Sequence, residues 1–202
     1  MLFTIKIPDD LMNSLVKDAG FDDDEIEIFS GLLESKIIKK KEHYICPGEI
    51  CPASAYVSKG CLRRYIIDDH AKEVIINFAL EGWWVGDLES FLYRKPTAYY
   101  IQALEQSELI LISRKNFFRA CNEIPKYKTF HEEKVQRNHF AMLKRISVAQ
   151  SGTPEEKYLL LMQEQPQLFQ RIPLHYIASY LGIKPESLSR LRKRLSIRPK
   201  KS

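Results

Sequence analysis

Apolar residues recur at threes and fours through residues 9 to 35: Leu11, Leu15 and Val16, then Ile26, Phe29, Leu32 and Leu33. That is the spacing of helix that buries one side. The acidic run from Asp22 to Glu25 lies between the two sets and suits a helix N-terminus, where the helix dipole favours negative charge. From about Ile37 to Ser113 the texture changes to short apolar or alternating stretches: HYICPG, SAYVSKG, CLRRYIID, EVIINFAL, WWVGD, YYIQALE and ELILIS. Each is bounded by Gly, Pro, Asp or Ser, at the roughly 8 to 12 residue spacing of an antiparallel sandwich or barrel. Helical periodicity returns from about Lys115 to Gln150, with Pro125 marking a break or a new start.

The second half of that long helix carries Val135, His139, Met142, Ile146 and Ala149 at alternating spacings of four and three. Such a seam predicts a dimerisation helix covered by its copy; packing against the chain's own β domain is the alternative. The segment SGTPEEK then supplies Thr153 as a cap, Pro154 at the first helical position, and Glu155 and Glu156 in the first turn. This is a domain boundary. The chain divides into residues 1–124, a helix at 125–150 and a C-terminal domain at 151–202.

Three helices are predicted in the last domain, at about 154–165, 173–181 and 185–195. The second puts Leu174, Ile177, Ala178 and Leu181 on one side, and Gly182 stands where a left-handed residue would end it. Ile183 can plug the turn, and Pro185 opens the next helix, so the pair reads as a helix-turn-helix. Lys184 stands at the likely cap position, where Ser, Thr, Asp or Asn would serve better. On the last helix Leu188, Leu191 and Leu195 share one side. Glu186, Ser189, Arg190 and Lys193 share the other, flanked by Ser187, Arg192 and Arg194. An arginine can donate twice to guanine, a carboxylate can accept from cytosine N4, and a hydroxyl can bond bases or phosphates. Taken alone, Glu186 and Arg190 could equally be an ordinary i, i+4 ion pair on a solvated helix.

Charge favours the first view. Residues 151–202 hold ten Lys or Arg against four Glu, a net of +6, while residues 1–150 hold 21 basic against 22 acidic residues, a net of −1. A basic end on a near-neutral body points to a polyanion such as double-stranded DNA. No apolar run is long enough to span a membrane, and the first residues do not resemble a secretory signal, so a cytoplasmic protein with no membrane partner is expected. The four cysteines, Cys46, Cys51, Cys61 and Cys121, match no zinc or redox spacing and read as free thiols. No catalytic triad, paired carboxylate motif, phosphate loop or metal spacing stands out, so no enzyme is expected.

A β domain, a long helix and a C-terminal helix-turn-helix, in this order, resemble the Crp/Fnr family of bacterial transcription regulators over nearly the whole chain. VSKGCLRRYIIDDHAKEVIINFALEGWWVGDLESF looks like the family's β-roll, and IPLHYIASYLGIKPESLSRLRKRL like its DNA-reading unit. GWWVGDLESF, IQALEQSELILIS and IASYLGIKPESLSR are similar to members found in Bacteroidetes. The resemblance implies an α+β chain: an antiparallel β-roll or jelly-roll sensor domain, cyclic-nucleotide-binding-like, then the dimerisation helix, then a winged-helix-like helix-turn-helix domain. Its wing would be truncated, since SIRPKKS is all that follows Leu195, leaving Arg198, Lys200 and Lys201 for phosphate. The family's Glu-x-x-Ser-Arg set falls on Glu186, Ser189 and Arg190, which implies a homodimer reading an inverted repeat of TTGA-like half-sites, with RNA polymerase as a further candidate partner. Pro185 stands where the cyclic-AMP receptor branch has an arginine, which puts that branch's outer guanine in question.

Cyclic-nucleotide binders of this fold carry Gly-Glu-Leu and then Arg-Ser/Thr-Ala, whose arginine pairs with the cyclic phosphate. This chain has Gly86, Asp87 and Leu88, then Pro96, Thr97 and Ala98, with proline in place of the cation. Cyclic AMP is therefore not the expected effector, although Arg94 or Lys95 could swing in. Gly86, Asp87, Leu88, Thr97 and Ala98 remain the candidate pocket for an unidentified small molecule. The cysteine cluster of iron–sulfur members is missing, and His43, His70, His131, His139 and His175 form no haem-ligating set. No resident cofactor or metal is expected. Trp83 and Trp84 are read as anchors of the roll, with pocket lining as the alternative. The competing function is a small-molecule-binding module whose basic C-terminus docks a protein.

Overall fold

The computed structural model describes residues 5–197, leaving out the side chains of 144, 145, 148–151, 196 and 197. Two short helical segments open it, α1 (Asp9–Asn13) and a single π turn (Ser14–Asp18), followed by α2 (Asp23–Ser30). The acidic run is a capping box: Asp22 accepts the N–H of Glu25 at 2.9 Å, and Glu25 accepts the N–H of Asp22 at 3.0 Å. Two amides that no helical turn could reach are thereby satisfied.

The helix expected up to residue 35 stops at Ser30, and Leu33–Ile38 is strand β1. Leu33 lies opposite Ile112 and Ile38 opposite Ser107, so pairing with a strand far along the chain overrides the local three–four periodicity. The remaining strands are β2 (His43–Ile45), β3 (Ala53–Lys59), β4 (Leu62–Ile67), β5 (Glu73–Ala79), β6 (Trp84–Val85), β7 (Tyr100–Ala103) and β8 (Ser107–Ser113). They form two four-stranded sheets, ordered β1-β8-β3-β6 and β2-β7-β4-β5; β1–β8, β8–β3, β3–β6, β2–β7 and β7–β4 are antiparallel pairs. Leu109 and Ile112 of β8, Ala55 and Val57 of β3, Leu62 of β4 and Ile101 of β7 are fully buried in one core. Gly60, between β3 and β4, sits at φ +106°, and a Cβ there would meet Ser107 Oγ at 2.2 Å.

A short helix the periodicity did not reveal, α3 (Leu88–Tyr93), interrupts the strands between β6 and β7. After β8 come α4 (Arg114–Glu123), capped by Ser113, and α5 (Pro125–Ser151), with Pro125 as the first residue of the second helix. Tyr127 and Phe130, at the start of α5, belong to the roll's core. Ring centroids 5.5 Å apart join Phe91 of α3 to Phe117 of α4. Phe117 lies 5.8 Å from Tyr127, and Tyr127 lies 4.8 Å from Phe29 of α2. Lys126 adds an ion pair to Glu25 at 2.7 Å.

The chain forms two compact units, residues 1–66 with 77–137, and residues 67–76 with 138–202. The second unit holds α6 (Pro154–Glu164), a one-turn α7 (Leu168–Arg171), α8 (Leu174–Leu181) and α9 (Pro185–Ile197). Thr153 and Glu156 close a capping box on α6, with Pro154 in the first turn. Tyr158, Leu161, Leu168, Ile177, Ala178 and Leu188 are buried and give this small unit its apolar centre. Among the described residues no helix is long and apolar enough to cross a membrane.

Candidate nucleic-acid interface and effector cassette

Helix α8 ends at Gly182, φ +66°, ψ 32°. The N–H of Ile183 bonds the Ala178 carbonyl at 2.9 Å and that of Gly182 bonds the Ser179 carbonyl at 3.1 Å, the two linked bonds of a Schellman end. Ile183 is buried beneath the turn. Leu188 N–H reaches the Lys184 carbonyl at 3.0 Å, so α9 is wound from Pro185 onward. Leu188 and Leu191 are 0% and 6% exposed and Leu195 is half-buried, whereas Glu186, Ser189, Arg190, Arg192 and Lys193 are exposed and Ser187 is half-buried. One face of α9 is thus spent on packing and the other is open.

Arg194 is also exposed, but its guanidinium pairs with Glu155 in the first turn of α6. That bond ties the far end of α9 to α6. Arg198, Lys200 and Lys201, expected to replace a wing, lie outside the described residues. On α5, Val135 is half-buried while His139, Met142 and Ile146 are exposed, together with Leu143 and Phe140, the latter 68% exposed. The side chain of Ala149 lies outside the described residues. The start of α5 is therefore sewn to the roll, and its second half displays apolar side chains.

In the roll, α3 begins where Asp87 caps it, accepting the N–H groups of Glu89 at 3.1 Å and Ser90 at 3.3 Å. The other Asp87 oxygen accepts the Thr97 hydroxyl at 2.7 Å. Thr97 Oγ1 in turn accepts the N–H of Tyr99, while the Thr97 backbone bonds Gly48 and Glu49. Ser90 Oγ donates to the Lys95 carbonyl and accepts the Cys51 N–H, closing the loop on itself. Gly86 packs against the start of β3, since a Cβ there would lie 3.8 Å from the Ala53 carbonyl oxygen and 3.9 Å from Ser54 Cα. Leu88, Pro96 and Ala98 are exposed. Arg94 is exposed in a left-handed conformation that ends α3, and Lys95 pairs on the surface with Glu89 at 3.0 Å.

The cation that does reach this loop was not singled out from the sequence. Arg64 of β4 donates to the Gly86 carbonyl at 3.2 Å and lies 4.8 Å over the Tyr99 ring. Its neighbour Arg63, 4% exposed, forks onto Gln102 Oε1 at 2.9 and 2.7 Å and stacks on Tyr65. The signal was present: adjacent residues of a strand face opposite ways, so an Arg-Arg pair in a β segment places one cation on each face. Trp84 packs edge-on against Tyr56, and both tryptophans lie partly buried against the core.

Cys51 and Cys61 are buried and Cys46 and Cys121 half-buried, all free. Burial pushes the Cys51 thiol up, away from thiolate reactivity. Among the described residues no group of three or more potential metal ligands is gathered.

Residues 36–123 match the family described as the cyclic nucleotide-binding domain. Comparison with curated proteins gives no match. Among solved structures, the chain resembles the c-di-GMP responsive global regulator CLP of Xanthomonas campestris, with 17% identity and a TM-score of 0.69 over 87% of this chain and 92% of that one. It resembles FixK2 of Bradyrhizobium japonicum at 16% identity and a TM-score of 0.70, over 81% and 84% of the two chains. Catabolite activator protein of Thermus thermophilus is similar at 17% identity and a TM-score of 0.54, over 90% and 86%. At such identities the likeness is one of fold.

Proposed function

From a chain with the fold of Crp/Fnr transcription regulators and a cyclic nucleotide-binding domain match over residues 36–123, we propose a sequence-specific DNA-binding transcription regulator rather than an enzyme. It acts in the cytoplasm as a homodimer, with RNA polymerase as a further partner. The observation that carries this is the division of α9: Leu188 and Leu191 buried, Glu186, Ser189 and Arg190 exposed opposite them, directly after the tight turn at Gly182. Arg190 would donate to guanine O6 and N7, Glu186 accept from cytosine N4, and Ser189 bond a base edge or phosphate. Ser187, Arg192 and Lys193 flank that set and suit phosphates. The half-sites are TTGA-like and arranged as an inverted repeat.

Two such helices must lie about one DNA turn apart, roughly 34 Å, which needs two copies. The seam of Val135, His139, Met142 and Ile146 on α5, exposed from His139 onward, supplies the surface on which those copies meet. The effector is not cyclic AMP or cyclic GMP. Pro96 brings no charge where cyclic-nucleotide binders carry the phosphate-pairing arginine, the Thr97 hydroxyl and the Glu89 and Ser90 amides are held by Asp87, and Arg64 is directed to the Gly86 carbonyl. Selection of bound duplexes from a random pool tests this function; it should return an inverted repeat with TTGA-like arms. A pool that stays unenriched would rule it out.

A further inference from the structure

Strand β5 is the outer strand of its sheet, so one of its sides has no strand beside it. A side chain from the helix-turn-helix meets that side. Ser179 Oγ accepts the N–H of Ile75 at 3.1 Å and donates to the carbonyl of Glu73 at 3.0 Å. Backbone groups two residues apart point the same way along a strand, so one hydroxyl stands in for the donor and acceptor of a pairing residue. A serine inside a helix more often turns back onto its own helix; this one turns outward. Its own backbone carbonyl meanwhile accepts the Gly182 N–H, one of the two bonds that shape the turn before α9.

We propose that Ser179 is a positioning residue, clasping α8 to the edge of β5 and so fixing the angle at which α9 presents Glu186, Ser189 and Arg190. It touches no DNA. The proposal rests on the DNA-reading function above and adds what holds the reading helix in place for it.

Fluorescence anisotropy of the full chain on three duplexes tests this: the inverted repeat, a single half-site and a random sequence. A half-site engages one α9 and makes no demand on its angle to a second one, whereas the repeat requires both to be held. Ser179→Ala should weaken binding to the repeat roughly tenfold, the scale of one net hydrogen bond, and leave the half-site unchanged. Ser179→Thr, which keeps the hydroxyl, should restore the repeat. Equal loss on repeat and half-site would mean a merely structural serine, and no loss on either an idle one; each overturns the proposal. A wild-type chain that binds all three duplexes alike overturns the DNA-reading function and the positioning role with it. The clasp itself is judged separately by hydrogen exchange of the Ile75 amide: faster in the alanine variant alone if the bond exists, equal in all three proteins if it does not.

Discussion

Thr97 donates its hydroxyl hydrogen to the Asp87 carboxylate at 2.7 Å, and both side chains are buried. The same carboxylate caps α3, so Asp87→Ala strands a buried hydroxyl and two helix amides together. Loss of a cap and of a buried partner each cost about 1 to 2 kcal/mol. The variant should therefore unfold at clearly lower denaturant, measured by fluorescence in urea. Wild-type protein titrated with cyclic AMP in a calorimeter should give no saturable heat.

Arg190 and Arg192 are both exposed on α9 yet stand on different sides of it. Arg190→Ala should abolish preference for the selected site over a one-base variant, a loss of about 1 to 3 kcal/mol in discrimination. Arg192→Ala should weaken all duplexes alike and reduce the slope of log affinity against log salt by about one. Binding titrations at several salt concentrations separate the two outcomes.

Two glycines with positive φ should respond differently to alanine. At Gly182 a Cβ would find nothing within 4 Å, so only the left-handed backbone is charged, about 1 to 2 kcal/mol. At Gly60 the added atom would also lie 2.7 Å from Ser107 Cα, a contact the strand must move to relieve. Gly60→Ala should lower the thermal midpoint by several times as much as Gly182→Ala.

His131 is half-buried, its ring 4.7 Å from that of Phe117, and burial holds its pKa below the ordinary 6.5 against the opposing pull of Glu132. Below about pH 6.5 the unfolded chain then binds a proton that the folded chain resists, so this group makes stability fall as pH falls through that range. His131→Gln should flatten that part of the stability profile, read as denaturant midpoints at successive pH values.

The sequence foretold the β2 to β8 segments because each is short, apolar or alternating, and punctuated by turn residues. It foretold the turn at Gly182 and the two faces of α9 because these are local: a glycine, a proline two residues past Ile183, and leucines at helical spacing. It failed at Leu33, whose partner Ile112 lies 79 positions away, a pairing no local period encodes. α3 is too short to show a period, and Asp87 acts there through Thr97, ten positions on. The Ser179 clasp was hidden for the same reason: its partners are backbone groups of Glu73 and Ile75, which carry no residue signature at all.

The two compact units are interleaved along the polypeptide, since Ile67–Ile76 leave the first to join residues from Asn138 onward. No single proteolytic cut yields both intact: a fragment beginning at Asn138 lacks a piece of its own body. During synthesis those ten residues emerge from the ribosome long before the helices they will touch. The last part of the molecule therefore waits on a hairpin made early, and a lesion in the Asp68–Lys72 tip would surface as misfolding at the far carboxyl end.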